Sequence, residues 1–332
     1  MTTYNLQLIT KTMIPLYIFI FIVSCILLTF SSKLLIDSLT KLAKFLGWKE
    51  FVVAFFTIAF GTSLPNLAVS IFSALNKIPQ LSLGDVIGGN IIDLTLGLSL
   101  AAFISRQGIS AHSRTVQGSS LFTVGASIFP LILSLDGILS RADGFLLILA
   151  FIIYVNWLFK KEDRFKKIYD GVPKIKSWRS LLKDISILTL STILLIIGAE
   201  GIVKSASFFA QTLRLPLVFI GIFIVGIGNC IPEISFSIRA ARESQDWMIM
   251  GNMLGGVMIV TTLVLGVASI IYPIEIKDFS TFAIGRFFLI VTAIFFLIFL
   301  RTGRKITRKE AVFLFLIFLA FVITEIINQI VT

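Results

Sequence analysis

The sequence predicts an all-α membrane protein: about ten transmembrane helices arranged as two inverted five-helix repeats. Three observations carry this reading. Only 14% of the 332 residues are charged while 57% are hydrophobic, and the mean hydropathy is +0.99. A soluble domain of this length carries nearer a quarter charged residues, so there is too little polar side chain to cover a water-facing surface. Apolar runs of roughly 18 to 25 residues recur from end to end, each long enough to cross a bilayer core. Finally, a Gly- and Pro-containing pattern occurs twice, in register over a long stretch.

Taken in order, the spans expected are 14–36, 51–75, 83–104, 119–137, 143–159, 182–207, 215–240, 248–272, 283–301 and 311–330. A very hydrophobic soluble bundle is excluded because the Phe- and Ile-rich runs have no polar face. The first run, from Ile14 to Phe30, is long, lacks a small-residue exit and leads into further spans, so it reads as a helix and not a signal peptide. Cys25 and Cys230 both lie inside apolar runs and form no CxxC pair, so no disulfide framework is expected.

The net charge of +11 sits in short loops, where it reports topology and not affinity for nucleic acid. Loop 160–181 carries Lys160, Lys161, Arg164, Lys166, Lys167, Lys174, Lys176 and Arg179 against Glu162, Asp163 and Asp170. The loop between the last two spans holds Arg301, Arg304, Lys305, Arg308 and Lys309. Both are expected to face the cytoplasm, which places both termini outside a multi-pass integral membrane protein.

The repeat has an offset of 167 residues, from Gly61 to Gly228. Gly61-Thr-Ser-Leu-Pro65-Asn66 aligns with Gly228-Asn-Cys-Ile-Pro232-Glu233. Without a gap, Ser70-Ile71 then meets Ser237-Ile238, Gly84 meets Gly251, Gly88-Gly89 meets Gly255-Gly256, and Thr95-Leu96 meets Thr262-Leu263. The expected organisation is a first repeat over 1–159, the basic loop 160–181, and a second repeat over 182–332. Because five helices are an odd number, two such halves joined on the cytoplasmic side have opposite orientations.

Gly-x-x-x-Pro in mid-helix frees backbone carbonyls, since proline has no N–H and its ring clashes with the preceding turn. In a bilayer such carbonyls are tolerated only against protein, water or an ion. Thr62, Ser63 and Asn66 flank the break in one half, Asn229 and Glu233 in the other, and Asp93 falls near the middle of the third span. A carboxylate at that depth costs several kcal/mol unless it is paired or binds a metal. No Lys or Arg lies at comparable depth on these segments, so a hard cation with oxygen ligands fits: broken helices around a central ion site. The alternative for Asp93 and Glu233 is a protonated, hydrogen-bonded structural carboxyl. The paired glycines read as close helix packing, and Asp85 and Asn252 as helix N-caps. Glu200 and Glu325 read as interfacial, and His112 as solvent-exposed.

At Gly61-Thr-Ser-Leu-Pro65, Gly88-Gly-Asn-Ile-Ile-Asp93, Pro232-Glu233 and Gly251-Asn-x-x-Gly-Gly256 the sequence resembles the α-repeats of the calcium/cation antiporter superfamily, closest to prokaryotic sodium/calcium exchangers. The similarity extends to Asp136-Gly-x-x-Ser-Arg-x-Asp-Gly144 and covers nearly the whole chain. The resemblance implies a central calcium site between the repeats, sodium sites around it, and exchange of a divalent cation, chiefly Ca²⁺, for Na⁺ or H⁺ by alternating access. It implies Thr62, Ser63, Asn66, Asp93, Asn229 and Glu233 as the metal-binding set. It implies no enzyme activity and no cofactor, and partners limited to inorganic cations and the bilayer, with no nucleic acid. Against the family pattern, Asn66 replaces a glutamate, Asn229 and Cys230 replace Thr and Ser, and Gly89 and Gly256 replace serines. Asp93 stands where Asn is common, and Val260 where a polar residue is expected. These departures keep two alternatives open: a proton-coupled exchanger of another cation, and a non-transporting sensor or scaffold.

Overall fold

The computed structural model describes residues 3–45, 60–105, 107–112, 114–161, 178–277 and 279–331. Its helices are α1 (Thr3–Phe45), α2 (Leu64–Leu75), α3 (Gln80–Ile104), α4 (Arg114–Leu133), α5 (Arg141–Lys161), α6 (Trp178–Leu213), α7 (Leu217–Arg242), α8 (Asp246–Ile271), α9 (Phe279–Thr302) and α10 (Arg308–Val331). Among the described residues, nine of these are long and apolar enough to cross a membrane. The start of the expected second span, 51–59, and most of the basic loop, 162–177, lie outside the described residues.

The helices sort by how much of each is enclosed. In α3 and α8, 78% of the most apolar stretch is buried, against 11% in α1. So α3 and α8 form the centre, and α1, α5 and α6 turn Phe19, Ile26, Phe145, Ile153, Ile185 and Ile197 outward, as lipid-facing helices do. Phe282, Phe296 and Phe321 fill the space between α9, α10 and the centre.

The halves contact each other in mirrored pairs. Two-residue strands β1 (Ile109–Ser110) and β4 (Lys305–Ile306) pair antiparallel, as do β2 (Ile138–Leu139) and β3 (Ile274–Glu275). Each ribbon ties the connection after the third helix of one half to the hairpin before the last helix of the other, one ribbon at each end of the bundle. The inverted repeat is thus visible in the contacts as well as the sequence.

Interruption of the helices takes two forms. At Ser63 the chain makes a turn, and Pro65 then starts α2, where a missing N–H costs nothing. Elsewhere the helix continues but widens to π geometry at Asp93–Gly97, Gly221–Val225 and Ile259–Val264. The first and last of these are equivalent under the repeat offset. A π widening strands carbonyls of the preceding turn, and threonines reach back to them. Thr95 donates to the Ile91 carbonyl, Thr261 to that of Val257, and Thr262 to that of Met258 at 2.5 Å.

Glycines set the closest helix crossing, between α3 and α7. A Cβ on Gly84 would stand 2.2 Å from the Val218 carbonyl oxygen, one on Gly88 2.6 Å from the Ile222 Cα, and one on Gly221 2.4 Å from the Leu81 carbonyl oxygen. The packing expectation fails at Gly251, where an added Cβ meets nothing within 4 Å. Two further expectations are corrected. Helix α3 begins at Gln80, so Asp85 is in its second turn and does not cap it; it is buried against α7. Asn252 is likewise inside α8 and buried. Glu325 is fully buried and not interfacial, because Ala311, Leu314, Ile317, Phe321 and Glu325 repeat at the three- and four-residue spacing of α10's inner face. His112 is exposed as expected, and Glu200 pairs with Lys204 at 2.7 Å near the surface.

Substitution of Gly84 by Val forces backbone apart at the α3–α7 crossing and is expected to destabilise the protein by about 1–3 kcal/mol. Gly251→Ala is expected to leave stability unchanged. Thermal unfolding midpoints of the detergent-solubilised variants distinguish the two; equal losses contradict the crossing described here.

Candidate cation site

Toward the C-terminal side of both helices, the α3–α7 crossing carries a cluster of buried polar side chains. Asp93 opens the π stretch of α3; Cys230 and Glu233 lie on α7 on either side of Pro232, whose missing N–H leaves the Gly228 carbonyl without its helical donor. One ligating atom from each of Asp93, Cys230 and Glu233 lies within 4.8 Å of the others. Their exposures are 4%, 1% and 1%. Among the described residues, neither oxygen of Glu233, nor Asp93 Oδ1, nor Asn66 Oδ1 has a hydrogen-bond partner. Nor does either of the ion pairs there, Lys204 with Glu200 and Lys277 with Glu275, reach this cluster.

Two of the remaining expected site residues, Asn229 and Thr62, are engaged in structure. Asn229 Nδ2 donates to both oxygens of Asp85, at 3.1 and 3.0 Å. Its repeat mate Thr62, half-buried, donates through Oγ1 to Asn252 Oδ1 at 3.1 Å. These two bonds are equivalent under the repeat offset: each ties the helix-break segment of one half to the central helix of the other. Asn252 Nδ2 further donates to the Glu233 carbonyl and to Ser237 Oγ, both at 3.4 Å, which anchors the backbone that presents the glutamate. Ser63 and Asn66 are buried at the start of α2. Asn90 Nδ2 donates to Thr261 Oγ1 at 3.1 Å, a further link between the central helices.

Thus Asp93 and Glu233 are brought together, whereas Asn229 and Thr62 bind other side chains of the protein. Sequence reasoning missed Asp85, a third buried carboxylate of this region, and Cys230 as a donor. The repeat alignment held a signal for both, since Asp85 aligns with a polar Asn252 and Cys230 with Ser63. The two glycines beside the cluster leave room. A Cβ on Gly89 would sit 3.5 Å from Cys230 Sγ, and one on Gly256 3.8 Å from Glu233 Oε1, both ordinary contacts. Such a cage has the attributes of a divalent-cation site: two carboxylates from opposite halves, free lone pairs and exclusion of bulk water.

Asn229 compensates a buried carboxylate, so Asn229→Leu is expected to lower stability by about 1–3 kcal/mol by orphaning Asp85. Adding Asp85→Asn to that variant is expected to recover most of the loss, and the non-additivity is the readout. Additive losses in unfolding midpoints contradict a direct Asn229–Asp85 bond.

Comparison with known proteins identifies the family and supports the fold. The profile of the sodium/calcium exchanger protein family matches residues 16–160 and again 183–327. The sodium/calcium exchanger MaX1 of Methanosarcina acetivorans is 26% identical over 94% of this chain and 99% of its own length. The inner membrane protein YrbG of Escherichia coli is 25% identical over 90% of this chain and 94% of its own. Among solved structures, the sodium-calcium exchanger NCX_Mj soaked with 2.5 mM Na⁺ and 0.1 mM Ca²⁺ superposes with a TM-score of 0.63 at 25% identity, covering 92% of this chain and 97% of that one. The same exchanger soaked with zero Na⁺ and Ca²⁺ gives 0.61 over 94% and 99%. With both halves matched by one family profile and the fold shared along nearly the whole length, the chain belongs to the sodium/calcium exchanger protein family.

Proposed function

We propose that the protein is a secondary antiporter that moves a divalent cation, Ca²⁺ foremost, against Na⁺ or H⁺ by alternating access. The observation that carries this reading is the enclosed pair of carboxylates Asp93 and Glu233, with Asp93 Oδ1 and both Glu233 oxygens unpartnered among the described residues, contributed by opposite halves of an inverted repeat. Together they supply −2, the charge that neutralises one divalent ion, and a flexible oxygen shell tolerates carboxylates placed asymmetrically between halves. Inverted halves around one site are the arrangement in which each half serves as the gate for one side of the membrane. Two of the relatives, MaX1 and NCX_Mj, are named sodium/calcium exchangers, which supports the same substrate pair. Thr62, Ser63, Asn66 and Asn229 complete the polar surround. The cycle needs no cofactor and no covalent chemistry. Both termini face outward by the distribution of basic residues, and the cell membrane is the site of action.

A second reading concerns the coupling ion only. Gly89 and Gly256 supply no hydroxyl beside the cluster, and Val260 supplies no donor where its repeat mate Asp93 does. Fewer oxygens remain for sodium than the family pattern provides, which favours protons, or fewer sodium ions, as the counter-ion.

In proteoliposomes, Glu233→Gln is expected to reduce ⁴⁵Ca²⁺ exchange to background while monodisperse yield persists; flux at the level of the unsubstituted protein rejects the site.

The coupling ion is read from Ca²⁺ efflux against imposed Na⁺ or pH gradients, where a shallow sodium dependence is expected. Gly256→Ser fits the available space, adds a hydroxyl beside Glu233 and is expected to steepen that dependence. An apparent sodium order near three before any substitution contradicts the second reading.

A further inference from the structure

We propose that this cation site also takes thiophilic divalent ions of the Cd²⁺ and Zn²⁺ class, with Cys230 as a sulfur ligand between Asp93 and Glu233. The proposal rests on reading the cluster as the transport site and names a substrate class that its oxygen donors alone do not select. A buried cysteine is ordinarily a small apolar filler. Cys230 has different surroundings: its Sγ lies within 4.8 Å of carboxylate oxygens of both Asp93 and Glu233. Those oxygens include atoms that are fully enclosed and lack a hydrogen-bond partner among the described residues.

The geometry suits a small closed shell. Donors on a tetrahedral ion with bonds of about 2.0–2.3 Å stand about 3.5 Å apart, so a contraction of at most about 1.3 Å from the observed limit completes an O, S, O face. The sulfur is free to make that move. Its present bond, donated to the Gly89 carbonyl, spans 3.6 Å, and Gly89 carries no side chain to block rotation. Oxygen donors alone favour Ca²⁺, Mg²⁺ and Mn²⁺, whereas a thiolate shifts preference toward softer metals. The position equivalent to Cys230 in the first half is Ser63, so sulfur stands in only one of two related places. As the metal–sulfur bond forms, the thiol proton leaves to the aqueous side, one for each ion bound through sulfur.

The test uses the full-length protein in a Cys25→Ser background, so that Cys230 is the single thiol, and CdCl₂ as the probe. Titration is expected to produce a sulfur-to-cadmium charge-transfer absorption that is absent from Cys25→Ser/Cys230→Ser. In proteoliposomes, Cd²⁺ is expected to compete with ⁴⁵Ca²⁺, and the concentration for half-inhibition should rise at least about tenfold on Cys230→Ser. Ca²⁺ exchange by Cys230→Ser is recorded in parallel, and the Cd²⁺ half-inhibition is read as a ratio to the Ca²⁺ affinity of the same variant, so that loss of the sulfur is distinguished from a general weakening of the site. Absence of the absorption band, or equal Cd²⁺ inhibition with and without the thiol, overturns the proposal and leaves calcium exchange standing. A protein that shows the band but no divalent flux at all supports the sulfur ligand and defeats the transport reading instead.

Discussion

Everything in this molecule is arranged around charge that has no water. Asp85, Asp93 and Glu233 are enclosed in the middle of an apolar bundle, at exposures of 4% or less. A lone carboxylate at that depth destabilises a membrane protein by several kcal/mol unless something answers it. Here two answers coexist on one helix crossing. Asp85 accepts from the Asn229 amide nitrogen at both of its oxygens, a bond internal to the protein. Asp93 Oδ1 and both oxygens of Glu233 have no such donor among the described residues, and under the proposed function they are left to an exchangeable cation. The crossing itself depends on Gly84, Gly88 and Gly221, since any side chain there would push α3 and α7 apart and separate Asp93 from Glu233.

The two halves share a scaffold but not a charge pattern. The ribbons β1–β4 and β2–β3, the π stretches at Asp93–Gly97 and Ile259–Val264, and the bonds Thr62–Asn252 and Asn229–Asp85 are all related by the repeat. Yet each acid has a neutral mate: Asp85 with Asn252, Asp93 with Val260, Glu233 with Asn66. The negative charge is therefore gathered where α3 meets α7, and the related α2–α8 contact is neutral. A symmetric frame gives two gates of similar build. An asymmetric interior gives one place to bind, which is what exchange of a single divalent ion requires.

Much of this was legible in the residues. Hydropathy located nine of the spans among the described residues, because a lipid-facing helix has no other way to be stable. The repeat was legible because its glycines and prolines are constrained by backbone geometry, and Asp93 and Glu233 stood out because charge is scarce in such helices. The misses have physical causes too. Asp85 looked like a cap because the expected span started only at 83, whereas α3 already begins at Gln80. Glu325 looked interfacial from its distance to the chain end, and only the inward stripe of α10 shows why it is buried. The π widenings leave no mark in an apolar run such as Gly221-Ile-Phe-Ile-Val225, because they are set by packing and not by composition. Cys230 passed as an apolar residue because its meaning lies in neighbours from another helix.

The division of labour between polar groups bears on how exchange can be reversible. If the groups that hold the halves together also bound the ion, each release would cost the fold a hydrogen bond in a medium where an orphaned donor or acceptor is expensive. The described residues separate the two tasks. Thr62, Asn252, Asn229, Asp85, Asn90 and Thr261 bond to one another across the halves. Asn252 also fixes the Glu233 backbone through its carbonyl, leaving the carboxylate itself uncommitted. In the proposed cycle an ion would leave Asp93 and Glu233 and be replaced by other cations or protons while the cross-links persist. That retention keeps the empty or exchanged site close to its binding geometry, so little ordering has to be repeated with each turnover.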